Sequence, residues 1–239
     1  MKYIYGPVQS RRLGLSLGIS LTPYKICSFN CVYCQQGKTT QTTLERKEYI
    51  PLQEILNELN AWCLYHAQET EKLNYLTFSG SGEPTLNLKI GQLICEIKKI
   101  TPAPIAVITN ASLLRDPSVR QALKDANLIV PSLDAVTAPV FEKIDRPHPG
   151  IKIEEIIDGL IALRKEFTGK VWLEVMLVKG INDDLRQIKK LKEVLERIKP
   201  DKIQLNSPVR TTAEPNIFPV DKKKLEKIKA ILGEKCEIV

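Results

Sequence analysis

The chain has 239 residues, 43% hydrophobic and 26% charged, a balance that suits a folded globular protein and excludes wholesale disorder. No apolar run approaches the ~18 residues of a membrane-spanning helix, and the N-terminal stretch breaks at Gly6-Pro7 before any signal-like segment; the expectation is a cytoplasmic protein with no membrane partner. The net charge of +7 would suit nucleic-acid or phosphorylated partners, but much of it sits in Lys189, Lys190, Lys192, Lys222, Lys223 and Lys224, in helix-like segments that read as solvated faces with few aromatics interleaved.

In chain order, the basic pair Arg11-Arg12 precedes a first candidate strand over 17–21. The next segment carries Cys27, Cys31 and Cys34. Apolar residues at helical spacing follow at Leu52, Ile55, Leu56, Leu59, Trp62 and Cys63, then a strand over 75–79 that runs into Gly80-Ser81-Gly82-Glu83-Pro84. Strands over 105–109 and 128–133 end in Asn110 and in Ser132-Leu-Asp134. A loop with Arg146 and His148 leads to a second apolar stripe from Ile153 to Ile161. A strand over 171–178 precedes Asp183, expected to cap the helix whose stripe runs from Leu185 to Ile198. Pro200 ends that helix, and a sixth strand over 202–206 ends at Asn206, with Arg210 beyond. A final stripe spans Leu225 to Leu232.

Short apolar strands alternating with amphipathic helices predict an α/β fold with parallel strands and right-handed crossovers. Six such units in 239 residues suit a partial (β/α)6 open barrel of the TIM type better than a closed eight-unit one. Chemistry in such sheets gathers at the carboxyl ends of the strands.

Three of the six cysteines crowd into a C-x3-C-x2-C run on one loop, where three thiolates can each bind one iron of a cubane. A four-iron cluster would then keep one iron without a protein ligand, an open position of the kind catalytic metals use. A zinc site completed from afar is the alternative, but His66 and His148 are the only histidines and have no paired-ligand spacing. Cys63, Cys95 and Cys236 stand singly and read as buried packing residues.

The cysteine run, with Tyr33 before its last member, resembles the cluster loop of the radical S-adenosylmethionine superfamily. Gly80-Ser81-Gly82-Glu83 is similar to that superfamily's Gly-Gly-Glu-Pro motif, with Ser81 in place of a glycine. The resemblance spans about 17–210. It implies a single domain over 1–239, with an N-terminal extension (1–16) and a C-terminal helix and tail (211–239). It implies a [4Fe-4S] cluster on Cys27, Cys31 and Cys34. It further implies an S-adenosylmethionine site formed by Tyr33, Gly80, Ser81, Gly82, Glu83, Asn110, Ser132, Asp134 and Asn206. The implied reaction is reductive cleavage to methionine and a 5′-deoxyadenosyl radical, which abstracts hydrogen from a substrate. The implied electron source is a small donor protein of the ferredoxin or flavodoxin type.

The strand endings resemble the wyosine-synthase-like and cyclic-pyranopterin-synthase-like branches, but residues 1–26 hold no cysteine for an auxiliary cluster, so this reads as a minimal form. Arg11, Arg12, Arg146, His148 and Arg210 are the candidate substrate contacts, able to grip a carboxylate or phosphate. The substrate stays open among a tRNA base, a cofactor precursor and a peptide or protein. Two other readings remain: a glycyl-radical activating enzyme, and a non-catalytic basic RNA-binding protein stapled by metal.

Overall fold

Stretches rich in Leu, Ile and Val form the parallel strands because both faces of each are covered, so they need no polar alternation. In the computed structural model, which describes residues 1–239, the elements follow in order: β1 (Ile4–Ser10), β2 (Gly14–Ile19), β3 (Ile26–Cys27), β4 (Gln41–Thr42), α1 (Leu52–Tyr65), α2 (Ala67–Thr70), β5 (Tyr75–Phe78), α3 (Ile90–Ile100), β6 (Ile105–Thr109), α4 (Pro117–Leu123), β7 (Leu128–Pro131), α5 (Ala138–Ile144), α6 (Ile153–Glu166), β8 (Lys170–Met176), α7 (Leu185–Ile198), β9 (Lys202–Asn206), α8 (Lys222–Leu232) and β10 (Cys236–Ile238). The main sheet is ordered β1-β2-β5-β6-β7-β8-β9-β10, all parallel except β1, which runs antiparallel to β2. The six central strands are those expected; the sheet is open, with β1 and β10 at its edges.

Those two edge strands were not anticipated. β1 is irregular, with a register shift between Tyr5 and Val8, β10 is only three residues long, both are of mixed polarity, and β10 places Cys236, read as part of a tail, in a strand. Between β7 and β8 the chain makes two helices, so the Arg146–His148 loop follows α5 rather than a strand.

The strands present two apolar surfaces. Leu17, Ile19, Leu76, Phe78, Ile105 and Val107 pack outward on the helices. On the other face a small cluster of Leu13, Ala106, Leu128 and Val130, joined by Tyr75, Ile108 and Trp172, fills the concave side. The helices pack as their stripes require: on α3, Ile90, Leu93, Ile94 and Ile97 are fully buried, each contributing about 1.5–3 kcal/mol. Cys95 lies one position off that stripe and is exposed, its sulfur 3.7 Å from Asp125 Oδ2, which corrects its reading as a packing residue. The cap of α7 is Asp184, whose side chain accepts from the Arg186 amide, and not Asp183; Asp183 accepts from the Gly180 amide and the Lys224 ammonium instead.

Candidate active site

The three cysteines of the C-x3-C-x2-C run lie on the loop after β2, at the carboxyl end of the parallel strands. Its base is pinned by the two-residue β3–β4 ladder, which pairs Ile26 with Gln41 and Cys27 with Thr42. One flank rests on the end of α5: Asn30 N–H donates to Asp145 O and Val32 N–H to Ile144 O, orphan carbonyls that a helix C-terminus leaves free. Phe29 packs edge-on against Phe141 beneath this contact. His148 N–H donates to Ser28 O, and Glu214 N–H donates to Val32 O from the loop after β9.

Each cysteine, half-buried, meets a different partner. Asn110 Nδ2 lies 3.6 Å from Cys27 Sγ, the Lys25 ammonium lies 3.0 Å from Cys34 Sγ, and Cys31 neighbours the buried Asp145 carboxyl, whose Oδ1 has no hydrogen-bond partner. Burial pushes the Cys27 thiol up to about 12 and Cys31 well above its ordinary value, so metal must displace both protons to bind. The donor set fits a cubane, in which every thiolate takes its own iron. Ligands of one ion would have to converge, and no group of three His, Cys, Asp or Glu side chains does so.

The Gly80–Glu83 loop packs directly against the cysteine loop. Lys25 N–H donates to Ser81 O and Glu83 N–H to Ile26 O. A Cβ on Gly82 would lie 2.0 Å from Ile26 O and 2.4 Å from Thr22 Oγ1, so the glycine is needed for this loop-to-loop approach. Gly80 adopts φ +125°, which favours glycine, and faces Ser20. Glu83 is buried, and its carboxylate accepts from Thr85 N, Thr85 Oγ1, Thr109 Oγ1 and Asn110 N at 2.5–3.0 Å. It ties the end of β5 to the end of β6. Thr85 and Thr109 carried no sequence signal beyond lying within a few residues of the motifs.

Asn110 joins the end of β6 to the cysteine loop, donating to Ser28 Oγ at 2.9 Å while its Oδ1 accepts from Ser112 N. Asp134 accepts from the Tyr33 hydroxyl and, at 2.7 Å, from Met176 N. The Tyr33–Asp134 pair thus fastens the loop to the end of β7. Burial raises both groups above their ordinary values, and raises Asp145 beside them. Ser132 N–H donates to Thr109 O, and Ser132 remains half-buried at the mouth.

The basic candidates divide by location. Arg11 and Arg12, in the turn from β1 to β2, reach across to β8 and β9 instead of standing free at the mouth. Arg12 forms an ion pair with Glu174; Glu174 accepts from Asn206 Nδ2 at 3.0 Å, and Asn206 Oδ1 accepts from Arg11 at 3.2 Å. Arg11 also donates to the Val239 carbonyl. Glu174 was not singled out from the sequence, because a lone acid in a strand gives no pattern. Arg146 and Arg210 flank the cysteine loop on its outer side, bonded to Glu214 and Gln35 respectively, and His148 Nδ1 accepts from Gly150 N.

The sequence matches the model of the Radical SAM superfamily over residues 21–192, most of the chain. The chain belongs to the radical S-adenosylmethionine superfamily. This radical S-adenosylmethionine protein is 36% identical over 234 residues to a UPF0026 protein of Methanocaldococcus jannaschii, covering 98% of the chain and 72% of that relative. It is 40% identical over 237 residues to a protein named GTPase Obg of Brachyspira hyodysenteriae, spanning 99% of the chain but only 34% of that relative's length. A GTPase phosphate loop reads Gly-x4-Gly-Lys-Ser/Thr; Gly37-Lys38-Thr39 has Val32 where the first glycine belongs. Among solved structures, TYW1 with a lysine-pyruvate adduct bound shares the fold at a TM-score of 0.64 and 20% identity, covering 91% of this chain and 72% of that one. The family and fold agree with the wyosine-synthase-like resemblance. No helix is long and apolar enough to cross a membrane.

Proposed function

We propose that this radical S-adenosylmethionine enzyme holds a [4Fe-4S] cluster on Cys27, Cys31 and Cys34 and cleaves S-adenosylmethionine reductively. The observation that carries the reading is the attachment of the cysteine loop to three strand ends at once, through Gly82 (β5), Asn110 (β6) and the Tyr33–Asp134 pair (β7). Held there, the cluster and S-adenosylmethionine would supply radical chemistry able to take a hydrogen atom from a substrate.

The chain's residues supply shape. Gly80, Ser81 and Gly82 keep the strand-end loop narrow, leaving room at the mouth for an amino-acid head. Ser132 and the Asn206 region lie along the same edge, where a nucleoside would rest. Glu83 and Asp134 spend their oxygens on the protein, so they hold the walls of the site. The electron would come from a small donor protein of the ferredoxin or flavodoxin type, and the substrate class is a tRNA base, a cofactor precursor or a peptide.

Iron and sulfide analysis of anaerobically reconstituted variants tests the ligand set. Cys27→Ala, Cys31→Ala and Cys34→Ala should each lose the cluster, while Cys63→Ala, Cys95→Ala and Cys236→Ala should keep it. Equal iron loss from Cys95→Ala and Cys31→Ala would refute the assignment.

A further inference from the structure

Beside the Gly80-Ser81 loop, at the edge formed by β1, lies a hollow of about 650 Å³. Its size falls in the range of small-ligand sites. Four of the chain's seven tyrosines, Tyr3, Tyr5, Tyr24 and Tyr49, line it. They are far apart in sequence, so the fold, not a local motif, gathers them.

The tyrosines are held by their hydroxyls. Tyr5 OH and Ser79 Oγ share a hydrogen bond of 2.5 Å, Tyr24 OH donates to Gln36 O at 2.7 Å, Tyr49 OH donates to Glu45 O at 2.8 Å, and Tyr3 OH donates to Glu54. With the hydroxyls engaged, what the hollow has left to offer is ring surface. Tyr5 is placed by Gly18: a Cβ there would lie 2.1 Å from the tyrosine ring, so only glycine lets the ring lie on β2. Tyr24 is 64% exposed. At the rim, Lys2 lies over Tyr3 and Lys47 over Tyr49, but the two lysines are also paired with Glu54 and Glu45. The rim therefore adds little attraction for phosphate.

We propose that this hollow binds a nucleobase by stacking on its tyrosines and presents the attached nucleoside to the cofactor loop it borders. Base–aromatic stacking is tolerant of base identity and needs rings of this kind. The proposal rests on the radical S-adenosylmethionine reading for its role, but the binding it asserts can be measured without turnover.

The test uses the full-length reconstituted protein without reductant, with guanosine, uridine and an unstructured RNA pentamer as probes, followed by calorimetry. At least one nucleoside or the pentamer should bind saturably, and a stronger pentamer would identify RNA as the source of the base. Affinity should change little with salt, since phosphate contacts are few. Tyr49→Leu should weaken binding about tenfold and Tyr49→Phe should retain it. Tyr5→Leu should act like Tyr49→Leu. Photo-crosslinks from 4-thiouridine should land on segments containing Tyr5, Tyr24 or Tyr49. Absence of saturable binding by every probe would overturn the proposal. So would binding that ignores the tyrosine substitutions, or crosslinks confined to the Asn206 end. Cofactor cleavage without any base binding would sink this inference and leave the enzyme reading intact. Base binding at the tyrosines without cofactor cleavage would do the reverse.

Discussion

The ammonium of Lys25 donates a hydrogen bond of 3.0 Å to the sulfur of Cys34, from a residue that is itself buried and left-handed at φ 57°. Its backbone binds Ser81 on one side and accepts from Thr40 and Gln41 on the other, so the side chain is aimed by the loop that carries the cysteines. Hydrogen bonds to cluster sulfurs tune reduction potential. Lys25→Met should keep iron while lowering the potential of the reconstituted cluster. A bond worth ~1.4 kcal/mol corresponds to ~59 mV in a one-electron couple. A redox titration followed by electron paramagnetic resonance reads this directly; an unchanged potential would show that Lys25 only packs.

Gly82 couples the two loops of the site. In Gly82→Val, the Ile26 carbonyl and Thr22 hydroxyl that a Cβ would strike must move, and with them the base of the cysteine loop. Overpacking of this kind costs about 1–3 kcal/mol. The melting temperature should fall and iron loading should drop in parallel. Normal loading in a folded Gly82→Val protein would mean that the loops are not coupled through this contact.

Arg12 and Glu174 form a largely buried pair extended by Asn206 and Arg11. Arg12→Met leaves the Glu174 charge without its cation and should cost roughly 3 kcal/mol or more. The double variant Arg12→Met/Glu174→Met should recover much of that loss. Equal destabilisation in the single and double variants, read by urea unfolding, would place the cost in packing.

Burial raises the carboxyls of Glu83, Asp134 and Asp145. A raised acid binds more protons folded than unfolded, so its contribution to stability is fully present below the unfolded value, ~4, and is lost as pH rises through the folded value. The metal-free protein should therefore melt at a higher temperature near pH 5 than near pH 8. Asp134→Asn, which keeps an acceptor for the Met176 amide, should flatten the profile. A profile that rises across this window, or one that Asp134→Asn leaves unaltered, would contradict the assignment.

The central strands were legible because a sheet covered on both faces leaves long apolar runs, as in Leu128-Ile129-Val130. The cysteine loop was legible because its ligands are local in sequence. What escaped notice depends on distance. β1 and β10 are edge strands whose partners, not their own patterns, make them strands. Glu83 reads as a motif residue, yet Thr109, 26 positions away, completes its bonding. Cys95 sits beside the apolar stripe of α3, and the 100° step between neighbours turns it to solvent. The tyrosine hollow joins residues from both sides of the cysteine loop, which no spacing rule could connect.

The most direct measurement is product analysis after anaerobic incubation of the reduced, reconstituted protein with S-adenosylmethionine. The account predicts 5′-deoxyadenosine and methionine in equal amounts, formed slowly without substrate, and absent from Cys34→Ala or when the reductant is withheld. S-adenosylhomocysteine with a methylated product and no 5′-deoxyadenosine, or products of cleavage at another carbon–sulfur bond, would contradict it.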